Sequence, residues 1–481
     1  MTDTLEKPQL RPASAPMTGA PAATPGGFSS WLEEARLLMH LAAPLIFTQL
    51  GQMAVLTSDV IMLGRVGKTA LAAAAVGNAV YYFAWLIGGG PVSAVPPMIA
   101  HITGARPRDK AGVRASVRMG LWAVILLAAP LIGLLMFTRP ILVALHQPPE
   151  IAASAGQYIG ILCFGLPFSL GFQVLRNFAA ALGHPRASVW VTVMTVVFNV
   201  LAGYALIFGH FGAPRLGLQG CAIASVSALT FSFVAMLVVI HLTADLKVYR
   251  IFRRFARPAW DKLREVFVLG LPIGLTMMFE AMLFNCMTLL MGTFGAAPLA
   301  AHQIALNVPS VTFMVPLGVA MAATIRVGRA AGAGDEAGVR RAGYTAMALA
   351  TLFMSLCGVG LAVFPNTIAG LYFDARAAGA AEVIALAVVY LRVAAAFQVF
   401  DALQVVGALS LRGLKDARMP LILAGVSYWL VGAPICVGLA VGLRMQGLGV
   451  WIGLAAALAV AAGAMCTRFY YLSRPLPSGG A

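Results

Sequence analysis

The sequence is poor in charge, and acidic residues are the scarcer of its two charged kinds. Only 10% of the 481 residues are charged, with 17 Asp or Glu against 33 Lys or Arg, whereas 60% are hydrophobic. This composition excludes a water-soluble globular protein and predicts a multi-pass membrane protein. The net charge of +16 would suggest a nucleic-acid partner in a soluble chain. Here the basic residues fall between apolar runs, so we expect no nucleic-acid partner.

Signatures of enzymes and metal sites are also missing from the sequence. The six cysteines are scattered singly, which gives no disulfide framework, no metal-ligand spacing and no thiol redox motif. There is no phosphate-binding Gly-rich loop and no His-x-x-x-His pair. We therefore predict a protein that is not an enzyme, that is not driven by ATP and that needs no organic cofactor.

Twelve apolar runs are long enough to cross a bilayer. Their predicted ranges are 39–63, 73–101, 116–138, 153–180, 187–209, 218–242, 266–291, 300–325, 342–364, 383–411, 419–441 and 447–470. On the side of the two termini lie 25 Lys and Arg, against 6 on the opposite side. The positive-inside rule therefore places both termini in the cytoplasm.

The chain also repeats itself at an offset close to half its length. Pro44 to Gly67 matches Pro272 to Gly295, and the loop 109–114 recurs as 335–340. Six spans per repeat is an even number, so the two halves share one orientation and are related by an axis along the membrane normal. The sequence predicts an all-α fold with two six-helix lobes. The predicted units are a disordered tail 1–35, an N-terminal lobe 36–243, a linker 244–265, a C-terminal lobe 266–471 and a tail 472–481.

Proline and glycine interrupt two of the predicted spans. Gly88 to Pro91 and Pro96-Pro97 lie in the second span, and Pro316 to Gly318 lies in the eighth. Such breaks are tolerated in lipid only where other helices or cavity water satisfy the freed backbone groups. Hinges of a moving transporter and static kinks both fit this pattern.

Three isolated acids inside the spans are the main indication of function: Glu280 in the seventh span, Asp401 in the tenth and Asp59 in the first. A carboxylate at mid-membrane costs at least ~2.5 kcal/mol to insert in its charged form, so it faces protein or trapped water. A functional role is the default for such a group. A protonated, hydrogen-bonded structural Glu280 is the alternative.

Polar side chains accompany these acids at helical spacing. Gln398, Asp401 and Gln404 recur every third residue, and Thr276 lies one turn before Glu280. Such groups suit Na⁺ at Glu280 and Asp401, and the carboxylates equally suit a proton. The candidates for lining a substrate cavity are Gln52, Thr276, Met277, Phe284, Gln303, Asn307, Phe397, Gln398 and Gln404. Thioether and aromatic groups suit flat lipophilic cations, although ordinary helix packing is the simpler explanation of any single Met.

Several motifs resemble the multidrug and toxic compound extrusion (MATE) family, in its NorM-type bacterial branch. They include Phe279-Glu280, Ala300 to Asn307, Asp401 to Val406 and Ser58 to Gly64, and the similarity extends over about 36–470. The resemblance implies two lobes around a V-shaped cavity and cation-coupled efflux of small organic cations. It also implies a monomer, in contact with lipid, in the bacterial inner membrane.

The resemblance also assigns roles to individual residues. Glu280 and Asp401 would bind the coupling ion in the C-terminal lobe, and Asp59 with Asn199 would form a site in the N-terminal lobe. Two positions depart from the family pattern. Phe397 stands where similar proteins often have a tyrosine, and Gly203 where a second asparagine often follows. Both departures remove oxygen ligands, which favours protons over sodium without deciding between them.

Two other functions remain open at this stage. A flippase for lipid-linked intermediates would need cationic groups facing its cavity, for which the sequence offers only Arg176 and Arg392 inside the spans. A membrane scaffold or receptor would leave the three intramembrane acids without a role.

Overall fold

The computed structural model describes residues 28–372 and 380–474, and within these ranges the chain is helical, with no strand. Most of the predicted tails therefore lies outside the described residues. Residues 28–35 differ from the prediction, because they belong to the first helix, which begins at Phe28.

Twelve helical segments among the described residues are long and apolar enough to cross a membrane, and each corresponds to one predicted span. In chain order, spans 1 to 12 are Ser29–Val66, Lys68–Ala105, Lys110–Met136, Pro149–Ala181, Arg186–Phe208, Leu218–Leu242, Trp260–Thr293, Ala296–Ala333, Glu336–Val363, Ala380–Gly413, Arg418–Gly442 and Gln446–Ser473. Shorter helices at Thr138–Ala144, Ala244–Lys247 and Pro365–Tyr372 lie between spans. The predicted all-α fold with twelve spans is confirmed. The predicted linker is shortened, because span 7 already begins at Trp260.

Large apolar side chains cover the outside of the bundle. Phe47, Trp190, Leu289 and Leu430 lie inside spans, yet each is more than 60% exposed. Soluble proteins rarely expose contiguous apolar surface of this kind, whereas lipid covers it at no cost. The chain is a multi-pass membrane protein.

Prolines account for the breaks in spans 2 and 8. In span 2 one helix ends at Val92 and the next begins at Val95, directly before Pro96. In span 8 the break falls at Phe313, shortly before Pro316. A proline removes one backbone donor and its ring clashes with the carbonyl four residues earlier, so each break lies just ahead of its proline. These interruptions are where the sequence predicts them.

Span 11 has a feature that its sequence does not announce. Two of its segments, Val426–Gly432 and Gly438–Gly442, are π-helical, and an α-helical turn at Ala433–Val437 separates them. π-turns are rare in α-helices and are frequent at functional sites. The first of them brings Tyr428 to the acids described below.

The internal repeat appears in the helix caps. Asp109 Oδ1 accepts a hydrogen bond from the Gly112 N–H at 2.8 Å, and Asp335 Oδ1 accepts one from the Gly338 N–H at 2.8 Å. These turns open spans 3 and 9, which occupy the same place in their halves. Matching residues thus make matching caps.

Two large apolar cores follow the same division of the chain. One runs from Met62 to Ile251, and the other is built mainly from spans 7 to 12. The beginning of span 1, from Leu38 to Leu45, packs into the second core. Span 1 therefore ties the two halves together, and the exact lobe boundaries stay a prediction.

The two halves cross closely at one end of the bundle. We call this end the basic side; it carries the first residues of span 1, the last residues of span 12 and the loops rich in Lys and Arg. A methyl group on Gly104 of span 2 would overlap the Arg329 carbonyl of span 8, and one on Gly332 of span 8 would overlap the His101 carbonyl of span 2. Both pairs, Gly104 with Gly332 and His101 with Arg329, are related by the repeat offset. The two contacts are therefore reciprocal.

Polar contacts strengthen this junction between the halves. Arg326 donates to both oxygens of Glu34, from Nε at 2.8 Å and from Nη2 at 2.6 Å. Arg329 Nη2 donates to the Ala181 carbonyl at 2.9 Å, and His101 Nε2 lies 2.8 Å from the Gly413 carbonyl oxygen. Paired, two-pronged Arg–carboxylate bonds are strong and directional. The basic side is thereby closed.

We predict that Gly104→Ala and Gly332→Ala each lower the thermal midpoint of the purified protein, because the added methyl group forces the helix backbones apart. Overpacking of this kind typically costs about 1–3 kcal/mol. Thermal unfolding in detergent measures the effect.

Gly133→Ala is the matched control, because nothing lies within 4 Å of the position that its methyl group would take. We expect it to leave the midpoint unchanged or to raise it, since alanine favours helix over glycine. Equal midpoints for all three variants would contradict a tight crossing at the basic side.

Candidate cation and substrate site

A cavity of about 650 Å³ lies between the two halves. Spans 1, 2, 4, 7, 8 and 10 supply its wall, which is mostly apolar with a small number of polar and charged groups. Pockets that take drug-sized molecules have this size and composition. The charged residues that line it are Arg176, Glu280, Asp401 and Arg412.

The two acids of the C-terminal half both line this cavity. Glu280 comes from span 7 and Asp401 from span 10, and both line the wall. They lie close enough to repel each other when both are charged. The structure thus brings together the two residues for which the sequence predicts a shared cation site, and the identity of the ion stays a prediction.

Arg412 is a cavity residue that lies just beyond the predicted span 383–411. It precedes Gly413 near the basic side, but the span 10 helix continues through Gly413 and keeps Arg412 inside the bundle. Its guanidinium lies close enough to attract Glu280 electrostatically. The acid pair therefore has a cation of the protein itself beside it.

Six of the predicted substrate-cavity residues line the same wall as the acids. They are Gln52, Thr276, Met277, Phe284, Phe397 and Gln404. Phe284 and Phe397 meet edge to face, with ring centroids 6.0 Å apart. Their predicted placement agrees with the structure, and their role in binding stays a prediction.

Gln398 does not line the cavity. Its side chain is fully buried, where it donates to the Met354 carbonyl at 3.3 Å and accepts from Thr312 Oγ1 at 3.2 Å. Residues three apart on a helix turn by about 300°, so a series at that spacing drifts around the helix. Gln404 and Asp401 reach the cavity, whereas Gln398 has turned toward spans 8 and 9.

Gln303 and Asn307 also lie outside the cavity wall. Both are exposed, and Asn307 Oδ1 accepts a hydrogen bond from the Tyr372 hydroxyl at 3.0 Å. They occupy the first helix of span 8, whereas most of the wall on this span comes from Pro309 to Ile325. That Gln303 and Asn307 are polar does not show whether they lie on the cavity wall or outside it.

Asp59 forms a separate polar site within the N-terminal half. It is buried and accepts hydrogen bonds from Asn199 Nδ2 at 2.8 Å and from Ser225 Oγ at 2.9 Å. The pairing of Asp59 with Asn199 is the one that the family resemblance implies. Ser225, from span 6, was missed, because a lone serine in an apolar span carries no signal of its own.

Gly203 marks the position of the absent second asparagine. Met62 fills that space, with its Cε 2.6 Å from the position that a Cβ on Gly203 would take. A side chain at this position would require the flexible end of Met62 to move. Ser225 instead supplies the additional oxygen, so the Asp59 site has more ligands than the sequence suggested.

Tyr428 supplies a hydroxyl beside the two acids of the C-terminal half, as Ser225 does beside Asp59. Phe397 brings no hydroxyl, but Tyr428 reaches in from span 11, fully buried and within electrostatic range of both Glu280 and Asp401. Its hydroxyl belongs to a different helix from the one that the family pattern uses. The predicted shortage of oxygen ligands is therefore smaller than the sequence indicates.

The two arginines inside the spans have different surroundings. Arg176 is 4% exposed, lines the cavity and donates from Nη1 to Gln49 Oε1 at 2.9 Å. Arg392 is exposed on the outside of span 10. Of these two arginines of the predicted spans, Arg176 faces the cavity and Arg392 does not.

The donor set fits a proton or a small hard cation. Asn199 and Ser225 bond to Asp59, and Thr276 and Gln404 line the cavity with the other two acids. Carboxylate, amide and hydroxyl oxygens are the preferred ligands of hard cations. Within residues 28–372 and 380–474 no group of three His, Cys, Asp or Glu side chains could hold a metal ion. A site for a softer transition metal is not indicated there.

Comparison with known proteins agrees with this architecture. The model of the MatE family matches residues 44–205 and 272–437, which is more than half of the chain. The two matches begin at the repeat-related Pro44 and Pro272. The same family model therefore describes both halves of the chain.

Named relatives match over nearly the whole chain. A protein of Rhizobium meliloti (strain 1021) named "Probable multidrug resistance protein NorM" is 41% identical over 446 residues, covering 93% of this chain and 95% of the relative. A protein of the same name from Mesorhizobium japonicum is 40% identical over 448 residues, covering 93% and 96%.

Solved structures share the fold. A eukaryotic MATE transporter superposes with a TM-score of 0.80 at 22% identity, covering 91% of this chain and 96% of its own. A Vibrio cholerae MATE transporter in a bent form gives 0.79 at 19% identity, covering 93% and 98%. With the two-lobe fold, the doubled family match and relatives at about 40% identity in agreement, the chain belongs to the MatE family.

Proposed function

We propose that the protein is a secondary active multidrug efflux antiporter, which exports small organic cations in exchange for protons or sodium ions by alternating access and catalyses no covalent chemistry. The pairing of Glu280 with Asp401 on the wall of a drug-sized cavity carries this proposal. Membership of the MatE family and the names of its relatives support it.

Exchange follows from the electrostatics of the acid pair. Two carboxylates in a poorly hydrated cavity repel each other, and any cation bound between them relieves the repulsion. A proton or Na⁺ can do so, and so can an organic cation in the cavity. Because each ligand removes the charge that attracts the other, the two bind competitively, and this competition couples their movements.

The closed basic side separates the cavity from one face of the membrane. If this side faces the cytoplasm, as the Lys and Arg distribution predicts, the described conformation blocks access from the cell interior. Inward movement of a coupling cation gains ~2.3 kcal/mol per charge for each 100 mV of membrane potential. We place the protein in the inner membrane of a bacterium as a monomer, with both termini in the cytoplasm.

A flippase is less well supported. It would need several cavity cations to hold a pyrophosphate, but Arg392 faces outward, and Arg176 and Arg412 share the cavity with two acids. The acid pair would repel a pyrophosphate. We therefore keep the antiporter as the proposed function.

We predict that Glu280→Gln and Asp401→Asn each reduce efflux of a fluorescent cationic dye from cells by about tenfold or more, because each removes a charge that both ligands need. Asp59→Asn removes the buried acid of the other half, and we expect a comparable loss. Dye retention, normalised to the amount of protein in the membrane, measures the effect.

Glu382→Gln is the matched control, because it makes the same chemical change at an exposed acid in the first turn of span 10. We expect it to leave efflux unchanged. Full efflux by all three buried-acid variants at normal expression would overturn the proposed function.

The coupling ion is identified by a separate experiment. A pH gradient and a sodium gradient are imposed separately on liposomes that contain the purified protein. We predict that one of the two gradients moves dye when imposed alone, and that Asp401→Asn abolishes the response to that gradient. Dye movement that needs neither gradient would exclude ion-coupled antiport.

A further inference from the structure

Arg176 is a buried cation to which the proposed cation efflux assigns no role. It lies on span 4 in the N-terminal half, on the wall of the same cavity as Glu280 and Asp401. A positive charge at this point repels the organic cations that the acids attract. An intramembrane arginine is a functional candidate by default, and its partner has to be found.

The side chain has few partners in the protein. A guanidinium has five N–H donors. Nη1 of Arg176 bonds to the neutral amide oxygen of Gln49, while the buried Nε has no hydrogen-bond partner. None of the ion pairs formed within residues 28–372 and 380–474 includes Arg176. Arg412 differs, because Glu280 lies near it.

Other polar groups line the same cavity wall as the guanidinium. Gln173 and Asn177 neighbour Arg176 on span 4, and both are more than 90% buried while lining the cavity. Ser93 and Gln49 line it from spans 2 and 1. Gln49, Gln173 and Asn177 offer amide donors beside a charged fork, which is the kind of site that binds a carboxylate. The Ser93 hydroxyl donates to the Gly89 carbonyl at 2.8 Å, so it has to rotate to reach a ligand.

We infer that Arg176, with Gln49, Gln173, Asn177 and Ser93, forms a carboxylate-binding subsite for transported compounds that carry both a cation and a carboxylate. Such a zwitterion places its cation at Glu280 and Asp401 in one half and its carboxylate at Arg176 in the other. This inference rests on the proposed efflux function and assigns a specificity-determining residue within it. A single arginine fork suits one carboxylate, whereas a pyrophosphate would need more cationic groups.

Two dyes that differ by one methyl ester test the subsite: rhodamine 110, which has a free carboxylate, and its ester rhodamine 123, which is only cationic. Full-length protein in phosphatidylcholine liposomes is assayed for transport of each dye. We expect Arg176→Gln to reduce transport of the acid dye by about tenfold or more, as for a lost charge-assisted pair, and to leave transport of the ester dye within about twofold of the wild type. Retained transport of the ester dye shows that the variant is folded.

Two further variants complete the design. Arg176→Lys keeps the charge but loses the planar fork, so we expect a smaller loss for the acid dye; it also serves if Arg176→Gln does not fold. Arg392→Gln makes the same change at an exposed arginine and should change neither dye.

The possible results separate the subsite from the proposed function. Parallel losses for both dyes would assign Arg176 to gating or folding and overturn the subsite. So would unchanged transport of the acid dye, or wild-type protein that moves only the ester. An effect of Arg176→Gln seen only when anionic lipid is added would assign the arginine to lipid headgroups. If the wild type moves neither dye, the efflux proposal itself fails.

Discussion

The structure depends on the cost of placing a carboxylate inside a membrane. Lipid cannot solvate Glu280 or Asp401, so the bundle has to provide a polar chamber, and the chamber has to lie between helices that leave room for it. The two halves accordingly contact each other closely at the basic side and leave a cavity of about 650 Å³ where the acids lie. Asp59 follows the same rule on a smaller scale, because Asn199 and Ser225 replace its water within one half.

The cavity wall combines charges of both signs in a consistent arrangement. Arg412 accompanies the acids of the C-terminal half, whereas Arg176 lies in the N-terminal half without an acidic partner among the described residues. A ligand held between the halves therefore meets an electrostatic gradient across its own length. Apolar and aromatic side chains such as Met277 and Phe284 form the remaining wall, and their contacts with a ligand require little specific geometry. Strong charge selection with loose shape selection is the expected property of such a site.

Much of this was readable from the sequence, for a physical reason. Span positions follow from long apolar runs, breaks from prolines, and the acid pair from the rarity of charge in such runs. Ser225 and Tyr428 were not readable, because they act through contacts between helices far apart in the chain. Gln398 was misplaced, because spacing along one helix does not fix which neighbour a side chain faces. Arg412 was misplaced, because the helix end could not be located to within one turn.

The glycine contacts at the basic side show what kind of interface joins the two halves. Gly104 lies against the Arg329 carbonyl, and Gly332 lies against the His101 carbonyl. Gly104 and Gly332 are repeat counterparts, and so are His101 and Arg329. In a two-fold pair of identical half-length chains, the same glycine of each chain would contact the same carbonyl of the other, because a two-fold interface uses the same patch twice. The junction thus has the form of a two-fold dimer interface, enclosed within one polypeptide.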